Sequence, residues 1–283
     1  MIGAIHLETQ HSVRRICMVL ELPRSSYYNA QIETDRQRQD KTLGGHIERI
    51  FRSHKRRYGY RRILDQLIDE GINCSPERVR RLMKQRKLHA IQPKTYVPRT
   101  SDGRADAPSP NLVANEGLPN EPNRLLAGDI THIPTAKGWL YLAVVIDLYT
   151  RKIVGWKLAD HMRADLVIEA LQNACIQQSI KPGAVFHSDR GSQYGSGRFR
   201  SLLSDQKIRQ SMSGRANPYD NAWTESVIGT IKAEVLQGGK FASFEDARIE
   251  LFEYIESYYN HHRKHSSLSY ETPSNFENNY YKN

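Results

Sequence analysis

Residues 187–196 read HSDRGSQYGS, and residues 217–234 read NPYDNAWTESVIGTIKAE. Asp189 follows the short apolar run Ala-Val-Phe, which predicts a buried strand ending near that carboxylate. Glu225 lies among apolar residues at helical spacing, and positions 190 to 224 place thirty-five residues between the two acids. The stretch therefore predicts one carboxylate at a strand end and a second on a helix.

A third acid, Asp129, lies in the segment LLAGDITHI at residues 125–133, which also has strand character. Two strands and a helix could bring the three carboxylates together around hard divalent cations. Mg²⁺ prefers oxygen ligands and needs few from the protein when phosphates supply the rest. Two such ions, about 3.5–4 Å apart, hold the attacking and leaving oxygens during phosphoryl transfer.

The three acids and their spacing resemble the Asp-Asp-Glu triad of the transposase and retroviral integrase superfamily. Four flanking segments in fixed order narrow the resemblance to the second-frame (OrfB-type) transposases of bacterial insertion sequence family three. These segments read GDITHIPTAKGWLYLAVVIDLYTRKIVGW, HSDRGSQY, DNAWTES and YNHHRKHSSLSYETP. The match runs over most of the chain, and several motifs in order are more specific than any one alone.

The resemblance implies a DDE transposase in which Asp129, Asp189 and Glu225 bind two Mg²⁺ ions, with Mn²⁺ able to substitute. It implies metal-dependent nicking of the element's ends, followed by strand transfer to another DNA site. The expected partner is double-stranded DNA, as terminal repeats and as target, and we expect a homo-oligomer on that DNA. The family also implies an OrfA-type first-frame partner or fusion.

Each acid taken alone also has a structural interpretation. Asp129 could accept backbone hydrogen bonds at a strand end, and Asp189 could belong to a turn. Glu225 could be a first-turn glutamate that the helix dipole favours. The three spacings and their surrounding segments together favour the catalytic interpretation.

Positive charge is concentrated at the N-terminus. The net charge is +10, and residues 1–100 hold 21 Lys and Arg against 10 Asp and Glu, whereas residues 101–283 hold 20 against 21. Such a field indicates a polyanionic partner for the N-terminal third.

We divide this third into a short helical segment at residues 1–40 and a helix-turn-helix DNA-binding domain at residues 41–91. In the first, residues 12–30 predict two helices, which are either a small helix-turn-helix or structural caps. In the second, Ser75-Pro76 opens a basic helix suited to the major groove, although a solvated basic face is the alternative. The predicted DNA contacts are Arg56, Arg57, Arg61, Arg62, Arg80, Arg81 and Lys84.

Residues 92–120 are rich in Pro, Gly, Ser and Asn and predict a linker. Residues 121–240 predict a catalytic core, with strands near 125–133, 139–147, 152–158, 184–187 and 208–212. Three sequential strands would pair antiparallel, and the last two would add through helical crossovers. The predicted class is α/β, a mixed five-stranded sheet with flanking helices, preceded by small all-α helix-turn-helix modules. This order matches the RNase H-like fold that the resemblance implies.

Residues near the acids predict further contacts. Lys232 lies two helical turns after Glu225, where it would face DNA phosphates or be an ordinary exposed lysine. Gln193 and Tyr194 could touch the terminal nucleotides, although Tyr194 could equally be packing. We expect Asp220-Asn221 to cap the helix of Glu225 and His187 to support Asp189. Residues 241–283 predict a C-terminal helix and an irregular tail, at 266–276, packed on the core.

A non-catalytic DNA-binding regulator of transposition is the alternative function, and an RNase H-type nuclease acting on hybrids is a third. The complete triad favours the transposase over the regulator. The longest apolar run, Trp139 to Ile146, is too short to span a bilayer. Cys17, Cys74 and Cys175 fit neither a disulfide framework nor a zinc pattern. We therefore expect a cytoplasmic, nucleoid-associated bacterial protein without a membrane partner.

Overall fold

The structure is a computed structural model that describes residues 2–31, 33–92, 108–116, 119–214 and 222–282. The chain divides into two compact units, Met1–Ala90 and Ile91–Asn283. Helices make up the regular structure of the first unit, and the second unit contains a β-sheet.

The N-terminal unit contains short helices followed by longer ones. They are α1 (Ile2–Thr9), α2 (Val13–Val19), α3 (Arg24–Gln31), α4 (Asp35–Ser53), α5 (Tyr60–Asp69) and α6 (Pro76–Gln85). The α4 helix begins at Asp35, because Thr34 and Gln37 form a capping box. The Thr34 Oγ1 accepts the Gln37 N–H at 3.2 Å, and the Gln37 Oε1 accepts the Thr34 N–H at 2.7 Å.

The α5 and α6 helices form the predicted helix-turn-helix on top of α4. Ser75 caps α6 by accepting the Arg78 N–H at 3.2 Å, and Pro76 is the first helical residue. One apolar stripe from each helix meets in the centre of the unit. The buried residues are Ile47, Ile50, Phe51, Tyr58, Ile63, Leu67, Val79, Leu82 and Met83.

The second unit is built on five strands in the order β3-β2-β1-β4-β5. They are β1 (Leu125–Thr135), β2 (Gly138–Asp147), β3 (Ile153–Ala159), β4 (Val185–Ser188) and β5 (Arg209–Met212). The first three pair antiparallel, whereas β4 is parallel to both β1 and β5. The prediction of a mixed five-stranded α/β sheet is confirmed.

Helices cover both faces of this sheet, and alternate residues of β1 point to opposite faces. Leu126 joins the core beneath α8 (Ala164–Gln177) and α10 (Gly197–Asp205), with the short α9 (Ser192–Gly195) beside them. Leu125, Ala127 and Ile133 join the core beneath α11 (Ala222–Ile231) and α12 (Phe244–Phe252). Asp129 has the same parity as Ala127 and therefore belongs to the α11 face.

Most of the predicted linker lies outside the described residues. Its described part, residues 108–116, packs against β5 and includes α7 (Val113–Glu116). Pro110 O accepts the Met212 N–H at 3.3 Å, and the Ser211 Oγ accepts the Leu112 N–H at 2.9 Å. This part of the segment therefore extends the structure of the second unit beyond the sheet edge.

The C-terminal segment is more helical than predicted. The α12 helix continues as a π-helical stretch at Glu253–Tyr259, and a 3₁₀ turn at Ser266–Leu268 precedes α13 (Pro273–Lys282). The prediction of an irregular tail at 266–276 is wrong after Thr272, whose Oγ1 accepts the Asn275 N–H at 3.2 Å and caps α13. None of the described helices combines the length and apolarity needed to cross a bilayer.

Candidate active site

The first aspartate lies within β1, and the second, Asp189, is the residue immediately after the neighbouring parallel strand β4. The β1–β4 ladder pairs Leu125 with Val185 and ends at Ala127 opposite His187. Asp129 and Asp189 each lie two residues beyond that last pair. Because two residues are one full period of a strand, the Asp129 side chain belongs to the same face of the sheet as Ala127.

Backbone amides hold each aspartate. The Asp129 Oδ1 accepts the Ile130 N–H at 2.8 Å, and the Asp189 Oδ1 accepts the Gly191 N–H at 2.9 Å. A β-carbon at position 191 would lie 3.0 Å from both the Asp189 Oδ1 and the Gln193 Oε1. Glycine therefore allows the turn to close against the carboxylate.

The α11 helix brings Glu225 to the same face. Val227, Ile228 and Ile231 of this helix are buried in the core cluster that also contains Ala127. Glu225 lies in the first turn of the helix and is half-buried. The predicted cap, Asp220-Asn221, lies outside the described residues.

The pKa of Asp129 responds to burial and to the other two acids. Burial, followed by the negative charges of Asp189 and Glu225, raises the pKa of Asp129 to about 8. Burial also raises the pKa of Glu225. Lys232 opposes these effects, because its positive charge acts on Asp129, while burial lowers the pKa of the Lys232 ammonium. Like charges held together in a partly dry site are a physical mark of a functional centre.

These three residues fit Mg²⁺ by donor type, since all of them offer carboxylate oxygens. Among the residues that the structure describes, no three acidic, histidine or cysteine side chains are close enough to enclose a metal ion. The acids are thus within electrostatic reach of one another, but they do not form a closed coordination shell.

Gln193 and Tyr194 both make contacts within the second unit. Tyr194 is 2% exposed and packs between Phe186 and Phe199, with ring centroids 6.0 and 5.4 Å away. The stacking interpretation of Tyr194 is therefore corrected to packing. Gln193 donates from Nε2 to the Met162 carbonyl oxygen at 2.9 Å.

His187 is fully buried and links β4 to β5 and the segment that follows. Its Nδ1 lies 2.8 Å from the Ser211 Oγ, and its Nε2 lies 3.2 Å from the Ser213 Oγ. The Ser213 N–H donates to the Ser188 carbonyl oxygen at 2.9 Å. His187 thus supports the end of β4, the strand that leads to Asp189.

A buried ion pair that the sequence did not predict lies nine residues beyond Glu225. The α11 helix continues as a π-helical turn, Lys232–Leu236, which buries Glu234. The Glu234 carboxylate accepts hydrogen bonds from Arg263 Nη2 and from the Tyr254 hydroxyl, both at 2.8 Å. Arg263 and Tyr254 belong to the C-terminal segment. Their hydrogen bonds to Glu234 therefore connect that segment to the end of the helix that carries Glu225.

A groove also opens near the acids, and the sequence analysis did not predict it. It has a volume of about 430 Å³ and is lined by His132, Pro134, Trp139, Lys232 and Leu236. The available signal was Trp139, a large aromatic residue immediately after the turn glycine that begins β2. Its side chain is 61% exposed.

The predicted DNA contacts of the N-terminal unit differ in how exposed their side chains are. Arg56, Arg61, Arg80 and Lys84 are exposed. Arg57 is only 7% exposed, so its interpretation as a DNA contact is corrected.

Two more of these predicted contacts are half-buried and already engaged within the unit. The Arg81 Nη2 donates to the Asp40 Oδ2 at 2.6 Å, and Arg62 lies over the Tyr58 ring, 5.7 Å from its centroid. Hydrogen bonds from Arg81 and Arg78 lower the pKa of Asp40. Arg81 therefore contributes to the packing of α6 on α4.

Comparisons with known families cover both units. Residues 119–218 and residues 206–273 each match an integrase core domain family, and residues 37–96 match the HTH-like domain family.

The chain is similar to curated proteins over most of its length. It is 40% identical over 235 residues to the transposase for insertion sequence element IS904 of Lactococcus lactis, spanning 83% of this chain and 93% of that protein. It is 34% identical over 276 residues to the transposase InsF for insertion sequence IS3A of Escherichia coli K12, spanning 96% of each. The HTLV-2 integrase catalytic core domain in complex with magnesium is 17% identical with a TM-score of 0.43, covering 56% of this chain and 98% of that one.

Proposed function

Since this chain belongs to the transposases of insertion sequence family three, we propose that it nicks the ends of its own element and joins the freed 3′-hydroxyls to target DNA. The observation that supports this proposal is that the negative charges of Asp189 and Glu225 both act on the buried carboxylate of Asp129. Their mutual repulsion, seen at Asp129, is a cost that a bound cation would relieve.

Asp129, Asp189 and Glu225 are the proposed ligands of two Mg²⁺ ions, with Mn²⁺ able to substitute. Such ions, when bound, would activate the attacking oxygen and stabilise the charge that develops on the phosphate. The amides of Ile130 and Gly191 would orient the two aspartates. Lys232 would attract the phosphate of the strand to be cut, because its charge already reaches Asp129.

The N-terminal unit is proposed to recognise the terminal repeats. Arg80 and Lys84 are one turn apart on the exposed side of α6, where they could reach phosphates or base edges in a major groove. Arg56 and Arg61 would add phosphate contacts from the preceding segment. Cutting two ends and joining them to one target requires more than one active site, so we include a homo-oligomer on DNA, with or without an OrfA-type partner. Such complexes would work in the nucleoid.

The test is nicking of a supercoiled plasmid that carries both ends of the element, with Mg²⁺ or with EDTA. We expect Glu225→Gln to bind the ends as the parent protein does and to lose nicking. Glu250→Gln, which alters an exposed glutamate of α12, is the matched control and should nick normally. Full nicking by Glu225→Gln in Mg²⁺ would refute the assignment, and end binding without nicking by the parent protein would favour a regulator.

The DNA-binding part is tested with the full-length chain. The double variant Arg80→Ala/Lys84→Ala should weaken end binding and reduce the slope of log affinity against log salt by about 1 for each lost phosphate contact. An unchanged slope would show that other residues make the DNA contacts.

A further inference from the structure

We propose that the groove lined by His132, Pro134, Trp139, Lys232 and Leu236 holds an unpaired base of a bound DNA strand, one phosphate of which meets Lys232. This inference rests on the proposed function and adds to it the position of a nucleotide next to the cut. The groove is separate from the three acids, and it combines an aromatic wall with a cation.

Trp139 supplies the wall. It is the second residue of β2 and pairs directly with Pro134 across the β1–β2 hairpin. Directly opposed residues of an antiparallel pair lie on the same face, so the indole and the proline ring are neighbours. The indole is nevertheless 61% exposed, which leaves an apolar surface available to a planar ligand.

His132 contacts the indole edge-on. The two rings are nearly perpendicular, at 89°, with centroids 6.1 Å apart. The ring of Tyr141, which is directly opposite His132 on β2, has its centroid 5.0 Å from that of His132. A stacking surface that is braced in this way loses little side-chain entropy when a base binds. Aromatic side chains bind bases of any sequence, because every base has a π-face.

Lys232 connects the groove to the acids. Its positive charge acts on the Asp129 carboxylate and also on the His132 imidazole, so the ammonium lies within electrostatic reach of both. A nucleotide has a base and a phosphate joined by a short sugar linkage. Its phosphate could meet Lys232 while its base lies against Trp139 and Leu236.

The dimensions and charge favour this occupant. The volume of about 430 Å³ is within the range of roughly 300–1,000 Å³ found for pockets that hold small ligands. An apolar side chain from a second protein copy would cover Trp139 but would bring no negative charge to Lys232. A nucleotide satisfies both parts of the groove, and we therefore choose it over a protein segment.

The experiment measures binding of the full-length protein in EDTA to two DNA probes, so that no cutting occurs. One probe is a blunt duplex of the element's end, and the other is the same duplex with a four-nucleotide single-stranded extension. We expect the parent protein to prefer the extended probe by about tenfold and Trp139→Ala to bind both equally. Trp139→Phe should retain most of the preference, since it keeps an aromatic face.

A matched control and a cross-link locate the base. Tyr281→Ala removes an aromatic residue of similar exposure, 59%, from α13 and should leave the preference unchanged. A 5-iodouracil in the extension should cross-link to the peptide that contains Trp139. An unchanged preference in Trp139→Ala, or a cross-link that maps only to other peptides, would overturn the proposal. A change in self-association alone, without a change in DNA preference, would also overturn it and favour a protein occupant.

The two proposals can fail separately. If the plasmid is nicked but Trp139→Ala keeps its preference for the extended probe, only the groove inference is lost. If the preference and the cross-link depend on Trp139 but no nicking occurs in Mg²⁺, the groove binds DNA and the proposed function is lost.

Discussion

Glu234 and Asp129 are carboxylates withdrawn from water in the same unit, yet their surroundings have opposite signs. Glu234 is bound by the Arg263 guanidinium and the Tyr254 hydroxyl, both at 2.8 Å. In contrast, the negative charges of Asp189 and Glu225 act on the carboxylate of Asp129. The first carboxylate is neutralised within the chain, whereas at the second the positive charge of Lys232 opposes the effects of the two acids.

This difference separates a structural use of charge from a functional one. A buried carboxylate that serves only the fold is paired, because leaving it unpaired destabilises the folded state. A carboxylate kept near like charges is tolerated where a ligand will relieve the repulsion. Four experiments test the contrast between these two sites.

The largest effect is expected from Asp129→Asn. Removing a proposed metal ligand should lower the nicking rate by about a thousandfold or more, since metal coordination contributes several kcal/mol to the transition state. The same change removes repulsion, so the free energy of unfolding in EDTA should stay level or rise. Asp205→Asn, at an exposed position, is the control for both measurements. A strongly destabilised Asp129→Asn with normal nicking would make this acid structural.

Glu234→Gln should lower the stability of the folded state, which Asp129→Asn should leave level or raise. It leaves the Arg263 guanidinium buried without its anion, which should lower the free energy of unfolding by about 3–5 kcal/mol, measured by urea unfolding. Glu169→Gln breaks the exposed pair with Lys157, where both side chains are more than 40% exposed, and should cost under about 1 kcal/mol. If the two variants lost equal stability, the buried pair would not have the structural role assigned to it.

The response to pH is the third contrast. The folded metal-free protein has a pKa of about 8 at Asp129, whereas an unfolded aspartate has a pKa of about 3.9. Between these values the folded state keeps a proton that the unfolded chain has released. The free energy of unfolding should therefore fall as the pH rises through this window.

Urea unfolding in EDTA between pH 5.5 and 8 measures this slope. Asp129→Asn should flatten it, and Mg²⁺ should stabilise the parent protein more at pH 8 than at pH 6. An identical slope in the parent protein and in Asp129→Asn would show that this carboxyl does not control the response.

The smallest effect is expected from Gly191→Ala. The new β-carbon would press on the Asp189 Oδ1 and on the Gln193 Oε1 at 3.0 Å. We expect nicking to fall about tenfold, because a small displacement of a reacting group slows the reaction, while stability changes by less than about 1 kcal/mol. Gly197→Ala, where a β-carbon meets open space, should behave like the parent protein. Equal activity of the two variants would mean that the turn tolerates the displacement.

The sequence predicted the elements that local patterns determine. The apolar segments near 125–133 and 139–147 predicted β1 and β2, and helical spacing around Glu225 predicted α11, so a strand position for Asp129 and a helix position for Glu225 could be expected. The burial of Tyr194 could not be predicted from local patterns, because its neighbour Phe199 belongs to the next helix and its other neighbour Phe186 belongs to a strand. Whether such a ring packs or faces solvent depends on tertiary structure.

The Glu234–Arg263 pair was missed for the same reason, since 29 positions separate its members and no local period links them. The π-helical turn that buries Glu234 has no sequence signal that we could identify. Arg57 shows the limit of charge counting, because a basic run indicates a DNA-binding surface but does not indicate which of its members turns inward.

The equal offset of Asp129 and Asp189 from the pair formed by Ala127 and His187 has a consequence for how such chains change in length during evolution. Insertions in the turn before β2 or in the connection that precedes α8 leave both offsets intact and should be tolerated. A single deletion between Ala127 and Asp129 would turn the carboxylate to the opposite face. Homologues should therefore vary in their loops while keeping these two short intervals constant.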